Sequence, residues 1–207
     1  MANIDRDTME ADVEVIIDRS DLTSQVDRRL QWAMDYVGSA RGWKALESQD
    51  TSLTLVTNQK NYTIPTNYKS ISSMRFADVT DENGTYLHFM ENDEFLEKHP
   101  YVEGELTGPP VDWCRVGSEI WVAPDPSSEE NGEKLYFIGR KRNTPFTAGS
   151  DTSDMDQELD EAIICIACWK MFRVIGEEEI GQVWLGDGEA IIGRVWQEEQ
   201  VYAEGAT

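Results

Sequence analysis

Hydrophobic residues recur at helical spacing at both ends of the chain, but not in its middle. Near the N-terminus, Met9, Val13 and Ile16 fall on one helix face. Asp7 and Glu10 have the spacing of a capping box. A second stripe advances in steps of four and three residues through Val26, Leu30, Ala33, Val37 and Ala40. These patterns predict two helices within the first fifty residues.

The pattern changes at about residue 51. Short runs rich in β-branched and aromatic residues follow, separated by loops that contain Pro, Gly, Asp and Asn. The strand-like runs are 51–57, 62–64, 70–76, 86–89, 111–116, 119–122 and 135–139. Gly117 and Ser118 separate two of these runs, and a glycine in the first position favours a type II′ hairpin turn. Residues 91–98 predict a short helix, which His99 and Pro100 close.

Helical spacing returns near residue 154. Gly176 marks the end of a first helix, in which apolar residues lie on almost every side from Ala162 to Ile175. Such a pattern is typical of a helix that is buried on most faces. A final segment, 177–202, contains glycines at 181, 186, 188 and 193. These glycines either interrupt the helix near 186–188 or let a neighbouring helix approach closely. Of these two possibilities we expect the second, with one long helix.

The order of helices, then strands, then helices indicates an α+β fold rather than an α/β fold. The simplest arrangement joins the N- and C-terminal helices in one bundle and inserts a β-rich domain between them. We therefore predict bundle helices over residues 1–50, a β-rich insertion over 51–150, and further bundle helices over 151–207.

The charge of the chain restricts its partners. Its 207 residues include 40 acidic and 18 basic ones, a formal net charge of −22 at pH 7. This charge repels nucleic acid and anionic membrane surfaces. A hydrophobic content of 40% nonetheless supplies a folded core. We expect no signal peptide, because the N-terminus has no basic region followed by an apolar stretch. We expect no transmembrane helix either, because the longest apolar run covers only residues 162–169 and a membrane span needs ~20 residues.

Candidate chemistry is sparse in this sequence. Cys165 and Cys168 form a C-x-x-C motif, but it lies in the middle of an apolar helix, so we interpret both as core residues of a protein from a reducing compartment. A zinc site would need further ligands, and only Cys114, His88 and His99 remain, scattered along the sequence. No nucleophile motif accompanies either histidine. We therefore predict no catalytic residue, metal or cofactor.

Large aromatic residues are better candidates for function. Residues 151–207 are strongly acidic and yet contain bulky apolar side chains, which suggests one packed face and one solvated face. The candidates for an interface in this segment are Trp169, Phe172, Trp184, Trp196 and Tyr202. In the β-rich region they are Trp113 and Trp121. A sugar-stacking face on the β region, and an acidic hydrolase with an unrecognised carboxylate pair, remain alternatives.

A set of short motifs in a fixed order resembles the head-to-tail connector, or adaptor, proteins of tailed bacteriophages. The motifs are RGW at 41–43, YTIPTNY at 62–68, PPVDW at 109–113, Gly117, Ile120 and PDP at 124–126. A pair of C-terminal helices over 159–175 and 177–202 completes the pattern. The four glycines of the last helical segment and the short tail after it depart from the family pattern.

The resemblance implies a structural virion protein and not an enzyme. Adaptors of this type form a ring, usually of twelve subunits, beneath the portal protein, where they extend the DNA channel and carry the tail or nozzle proteins. The implied location is the virion neck, after synthesis in the host cytoplasm, with DNA passing through and no sequence-specific contact. The resemblance further implies that the C-terminal segment contacts neighbouring subunits or the portal. A carbohydrate- or protein-binding β module is the alternative function.

Overall fold

The computed structural model describes residues 3–77, 84–100 and 107–204, and confirms an α+β fold. The chain forms two compact units. A helical unit comprises the described residues up to Leu46 and from Arg142 onward, and a β unit comprises those of Glu47–Lys141.

In chain order the elements are α1 (Arg6–Ile16), α2 (Thr23–Ala40), a 3-10 turn (Lys44–Leu46), β1 (Glu47–Thr54), β2 (Asn61–Thr63), β3 (Tyr68–Ala77), β4 (Thr85–Tyr86), β5 (His88–Phe89), α3 (Asn92–Lys98), β6 (Asp112–Val116), β7 (Glu119–Ala123), β8 (Lys134–Lys141), α4 (Glu158–Ile175) and α5 (Glu178–Glu204).

The helical unit is built around α4. From Ala162 to Cys168 every side chain of this helix is buried, because α1, α2 and α5 all pack against it. The predicted stripes of α1 and α2 supply the facing layer, with Met9, Val13 and Leu30 fully buried. The continuous apolar pattern of α4 is therefore explained by neighbours on several sides.

The extreme N-terminal segment is attached to the loop that precedes α4. The Asn3 amide donates to the carbonyls of Ser153 and Met155, and the Arg6 amide donates to the Asp151 carbonyl. Asp160 lies beneath this segment and is 0% exposed. Its carboxylate accepts hydrogen bonds from the Ile4 N–H at 2.8 Å and the Ser153 hydroxyl at 2.7 Å. Burial raises the pKa of Asp160, and these two hydrogen bonds partly offset that effect.

Two close contacts fix the end of α2. The Asn143 side-chain amide donates to the Met34 carbonyl at 2.8 Å, and a β-carbon on Gly38 would lie 2.2 Å from that amide nitrogen. Glycine is thus the residue that lets Asn143 reach α2. Trp43 is fully buried, its indole N–H donates to the Val37 carbonyl at 2.7 Å, and its ring meets Trp196 edge to face at 6.0 Å.

The expectation of one long C-terminal helix is confirmed, since α5 runs without interruption through Gly186 and Gly188. Gly176 precedes it with a φ of +84°, a left-handed conformation that favours glycine. Two of the α5 glycines face α4. A β-carbon on Gly188 would lie 2.9 Å from Ile166 Cδ1, and one on Gly181 would lie 3.2 Å from Phe172 Cβ. The other two, Gly186 and Gly193, face open space.

The β unit consists of two four-stranded sheets, ordered β1-β8-β3-β4 and β2-β7-β6-β5. One buried cluster combines side chains of both sheets, including Phe137 of β8 and Ile120 of β7, so the sheets pack face to face. The predicted hairpin between β6 and β7 is confirmed, with Gly117 at a φ of +62°. The predicted single strand over 86–89 is wrong. Leu87 turns into the core there, and the chain leaves one sheet at Tyr86 and joins the other at His88.

Replacement of Asp160 by alanine tests the attachment of the N-terminus. The Ile4 amide and the Ser153 hydroxyl lose their acceptor in a buried site, which costs about 1–3 kcal/mol of unfolding free energy. Urea denaturation, followed by the circular dichroism signal of the helices, measures this loss. Asp156→Ala, an exposed carboxylate nearby, is the matched control and should change stability by a few tenths of a kcal/mol. Equal stability of the two variants would contradict this account.

Leucine at the two central α5 glycines should have opposite effects. Gly186→Leu gains helix propensity in open space and should raise the unfolding free energy by up to about 1 kcal/mol. Gly188→Leu must displace Ile166, which is fully buried, and should lower it by about 1–3 kcal/mol. Thermal melts of the two variants give the comparison. A stabilised Gly188→Leu protein would show that α4 and α5 are not closely packed.

Candidate functional site

An aromatic cluster lies where α2 meets α4. The Trp32 and Trp169 ring centroids are 6.0 Å apart, and Tyr36 lies 5.2 Å from Trp32 and 6.5 Å from Trp169. Trp32 and Tyr36 lie one helical turn apart on α2, so both point to the same side of that helix. All three rings are half-buried and pack against the core of the helical unit, which leaves part of each ring at the surface.

A lysine lies between the two indole rings. Lys170 Nζ is 4.1 Å from the ring centroids of both Trp32 and Trp169. The negative faces of the two rings attract the ammonium group, and each contact is worth about 0.5–1 kcal/mol near a surface. Burial lowers the pKa of Lys170, and repulsion from Arg173 and Arg29 adds to this effect.

The positive charges around this cluster are poorly neutralised. Among the residues that the structure describes, no carboxylate lies within 4 Å of Lys170 or Arg29. The buried Nε of Arg29 and the indole Nε1 of Trp169 likewise have no hydrogen-bond partner there. Arg173 is 3.8 Å from the Glu178 carboxylate. We call Arg29, Trp32, Trp169 and Lys170 the cationic–aromatic patch.

Acidic side chains border this patch without covering it. The Tyr36 hydroxyl donates a hydrogen bond to the Glu189 carboxylate of α5, which raises the pKa of the tyrosine. Sequence analysis singled out only Trp169 in this region. The available signal was that Lys170 and Arg173 are two of the three basic residues after position 150. Trp32 and Arg29 gave no signal, because their proximity to α4 depends on the tertiary fold.

The predicted interface residues of α4 and α5 differ in exposure. Phe172 is buried against Gly181, whereas Trp184 and Trp196 are half-buried on the core of the helical unit. The α5 backbone is described through Glu204, but the side chain of Tyr202 lies outside the described residues. More exposed apolar side chains, which sequence analysis did not single out, are Ile180, Val183 and Val201. Val183 is 63% exposed and lies one turn from Ile180 near the start of α5, whereas Val201 lies about 27 Å further along the same side of the helix.

The β-unit candidates are less available to a partner. Trp113 is only 2% exposed and belongs to the core between the sheets, so it presents no ring for sugar stacking. The alternative of a sugar-stacking face therefore cannot use the Trp113 ring. Trp121 is half-buried, and its indole N–H donates to the Glu119 carboxylate at 3.0 Å.

Both histidines converge on one buried carboxylate, although their sequence positions suggested no relation. Asp112 accepts hydrogen bonds from Lys98 Nζ at 2.8 Å and His99 Nε2 at 2.7 Å, and His88 Nδ1 is 3.6 Å away. Burial alone raises the pKa of Asp112, but the bonds from Lys98 and His99 outweigh it and hold the pKa below its usual value. The cluster fastens the C-terminal end of α3 to β6.

The cysteines have the environment of core residues. Cys114, Cys165 and Cys168 are buried free thiols. Burial raises the pKa of Cys114 and Cys165 to about 11 and that of Cys168 to about 12, which disfavours the reactive thiolate. No group of three or more His, Cys, Asp or Glu side chains suited to a metal ion occurs in the part of the chain that the structure describes.

Across the described ranges, none of the helices combines the length and apolar character that a membrane crossing requires.

The helical unit thus combines exposed apolar side chains on α5 with a cationic–aromatic patch, and both features are common at protein interfaces. Comparison with known families gives a more specific class. A family model described as SU10 adaptor protein matches residues 5–207, and the chain belongs to this family. A search of curated proteins found no match. The family consists of phage structural adaptors, which is not an enzyme class. Membership implies a place in the virion neck and binding to portal and tail proteins.

The Asp112 cluster should make the β unit sensitive to acid. Because its pKa is lowered on folding, Asp112 adds stability above the unfolded carboxyl pKa of ~3.9 and loses it as the pH falls through the folded value. Asp112→Asn should therefore lower the melting temperature at pH 7 and have a smaller effect near pH 3. Differential scanning calorimetry at both values measures this. Asp93→Asn, on the exposed side of α3, is the control and should have little effect at either pH. An equal Asp112→Asn effect at both pH values would argue against the ionised cluster.

Proposed function

We propose that this protein forms a closed ring, of twelve copies, beneath the portal of a tailed phage. The ring extends the channel through which DNA passes and offers the attachment platform for tail or nozzle proteins. The match of the adaptor family over residues 5–207 carries this proposal, because it spans both the helical unit and the β unit. A ring of identical subunits needs only one repeated head-to-tail contact between two different surfaces.

The outward side of α5 is the surface that we assign to a neighbouring subunit or to the portal. Ile180, Val183 and Val201 are exposed along it, and such apolar side chains are common at the centres of protein interfaces. Trp184 and Trp196 belong to the same helix and are half-buried against the core of the helical unit, and Trp169 lies on the adjacent α4. Tyr202, also a residue of α5, remains a candidate for this contact. Phe172 and Trp113 support their surfaces from within, since both are buried, and Trp121 is the β-unit candidate.

The acidic charge suits a channel protein. A surface with a net charge of −22 per subunit repels the phosphates of DNA. Contact with it would release no counterions from the DNA, so DNA moves past without being bound. We therefore propose that part of the acidic surface lines the channel. A ring structure with a basic or neutral lumen would refute this part of the proposal.

Electron microscopy of the intact particle, together with reconstitution, tests the function as a whole. The purified chain, added to purified portal particles, should appear as a symmetric ring at the portal's tail-facing end. The same chain should show neither glycan retention nor turnover of small molecules. Density for this chain elsewhere in the virion, or failure to bind portal particles, would overturn the proposal.

Charge on the outward side of α5 should block attachment. Val183→Asp places a carboxylate on a 63% exposed apolar position, where burial in an interface would be costly but the free subunit is unaffected. We expect an unchanged melting temperature and strongly reduced occupancy on portal particles, measured by sedimentation with the particles. Gln182→Asp, an exposed polar position about 100° around the same helix from Val183, is the control. Normal occupancy of the Val183→Asp protein would remove α5 from the interface.

A further inference from the structure

The cationic–aromatic patch has no role in the fold that explains its charge. Arg29 and Lys170 lie close enough for their charges to repel, and within the described ranges neither has a carboxylate within ion-pair distance. Trp169 also leaves its indole N–H without an acceptor in the described part of the chain. An uncompensated cation pair is unusual in a chain with 40 acidic residues. A partner that supplies carboxylates would neutralise the Lys170 and Arg29 charges together.

A complementary surface is present on the same chain. The outward face of α1 carries Asp12 and Val15, and Asp18 follows the helix end. All three are exposed, and Val15, at 79%, is the most exposed large hydrophobic residue of the described chain. Arg19, the nearest basic residue in sequence, is already paired with Asp21 at 2.6 Å. This face therefore offers an apolar side chain flanked by free carboxylates.

The patch lies on the side of α2 that faces away from α1. α1 contacts α2 through the Arg6–Asp27 ion pair, with a nitrogen–oxygen distance of 2.8 Å. Successive residues of a helix are about 100° apart, so Trp32 lies about 140° around α2 from Asp27, and Arg29 about 160° from it in the other direction. The patch thus faces away from α1. A subunit cannot join these two surfaces within itself, but two copies can join them head to tail.

We propose that the cationic–aromatic patch binds the outward face of α1 in a second copy of this chain. Val15 of one copy packs against the Trp32 and Trp169 rings of the next, and Asp12 or Asp18 neutralises Lys170 and Arg29. The contact is heterologous, so its repetition generates a ring or a filament. It deepens the proposed function, on which it rests for ring closure, by naming the contact between neighbouring subunits.

Short-range electrostatics favour this contact in spite of the total charge. Two copies of −22 repel each other at long range, but charges farther apart than ~8 Å are largely screened at physiological salt. The local pairing of cations with carboxylates then determines which surfaces meet. Nucleic acid is a poorer occupant, because a phosphate chain would extend past the patch onto the acidic remainder of the surface.

Carbodiimide cross-linking of mixed isotopic copies tests the contact directly. The reagent condenses an amine with a nearby carboxylate, so unlabelled and ¹⁵N-labelled full-length chains are mixed and treated with and without portal particles. We expect a cross-linked peptide pair that joins Lys170 of one isotope to Asp12 or Asp18 of the other. Absence of any mixed-isotope product at Lys170 under both conditions would overturn the proposal. Cross-links from Lys170 to portal peptides only, or binding of the chain to DNA without any mixed-isotope product, would overturn it as well.

Charge exchange provides the matched variants. Lys170→Glu and Asp12→Lys should each weaken self-association about ten-fold, and the double variant should recover it. Lys69→Glu, an equal charge change at an exposed position of β3 in the β unit, should leave self-association unchanged. Asp12 is exposed, so its variant remains informative even where Lys170→Glu disturbs the fold. Equal behaviour of Lys170→Glu and Lys69→Glu would refute the contact.

The two proposals fail separately. If wild-type chains bind portal particles as a ring without the Lys170 cross-link, the ring uses another contact and this inference is wrong. If the mixed cross-link forms in free protein that never binds portal particles, the contact between copies stands and the proposed function is wrong.

Discussion

The helical unit depends on contact between two chain segments that are far apart in sequence, with Ile4 and Asp160 separated by 156 positions. Its central helix, α4, is buried on most sides only because α1 and α2 return to it from the other end of the chain. The buried Asp160 carboxylate secures that contact through the Ile4 amide and the Ser153 hydroxyl. Without the N-terminal segment, this carboxylate would lose a partner, and an apolar face of α4 would be exposed. Surfaces built on the bundle, including the cationic–aromatic patch and the free side of α5, therefore exist only in the closed unit.

Much of the fold was predictable because helix and strand periodicities are local properties of the sequence. The stripes of α1 and α2, the position of α3, the Gly117 hairpin and the continuous α5 all follow from spacing and turn chemistry. The single strand predicted over 86–89 was wrong. The alternation of polar and apolar residues in this segment carries no information about the change from one sheet to the other at Leu87. The domain boundaries proposed at residues 50 and 150 remain predictions.

The candidate surfaces were less predictable, since exposure and pairing are tertiary properties. Trp113 and Trp121 have the same sequence signal, yet one is in the core and the other is at its margin. The Asp112 cluster combines residues 88, 98, 99 and 112, which share no motif. Trp32 and Lys170 are 138 positions apart, and only the packing of α2 on α4 brings them together. Contacts between residues so far apart produce no regular residue spacing from which they could be predicted.

The chain enters the β unit through β1 and leaves it through β8, and these two strands are neighbours in one sheet. Glu47, the first residue of β1, pairs with Arg140 near the end of β8, and adjacent strands are only ~4.8 Å apart. An insertion with such closely spaced ends imposes no separation on the helices that flank it. Insertions, deletions or replacement of the β unit are therefore compatible with an unchanged helical bundle, so the two units can diverge independently in evolution.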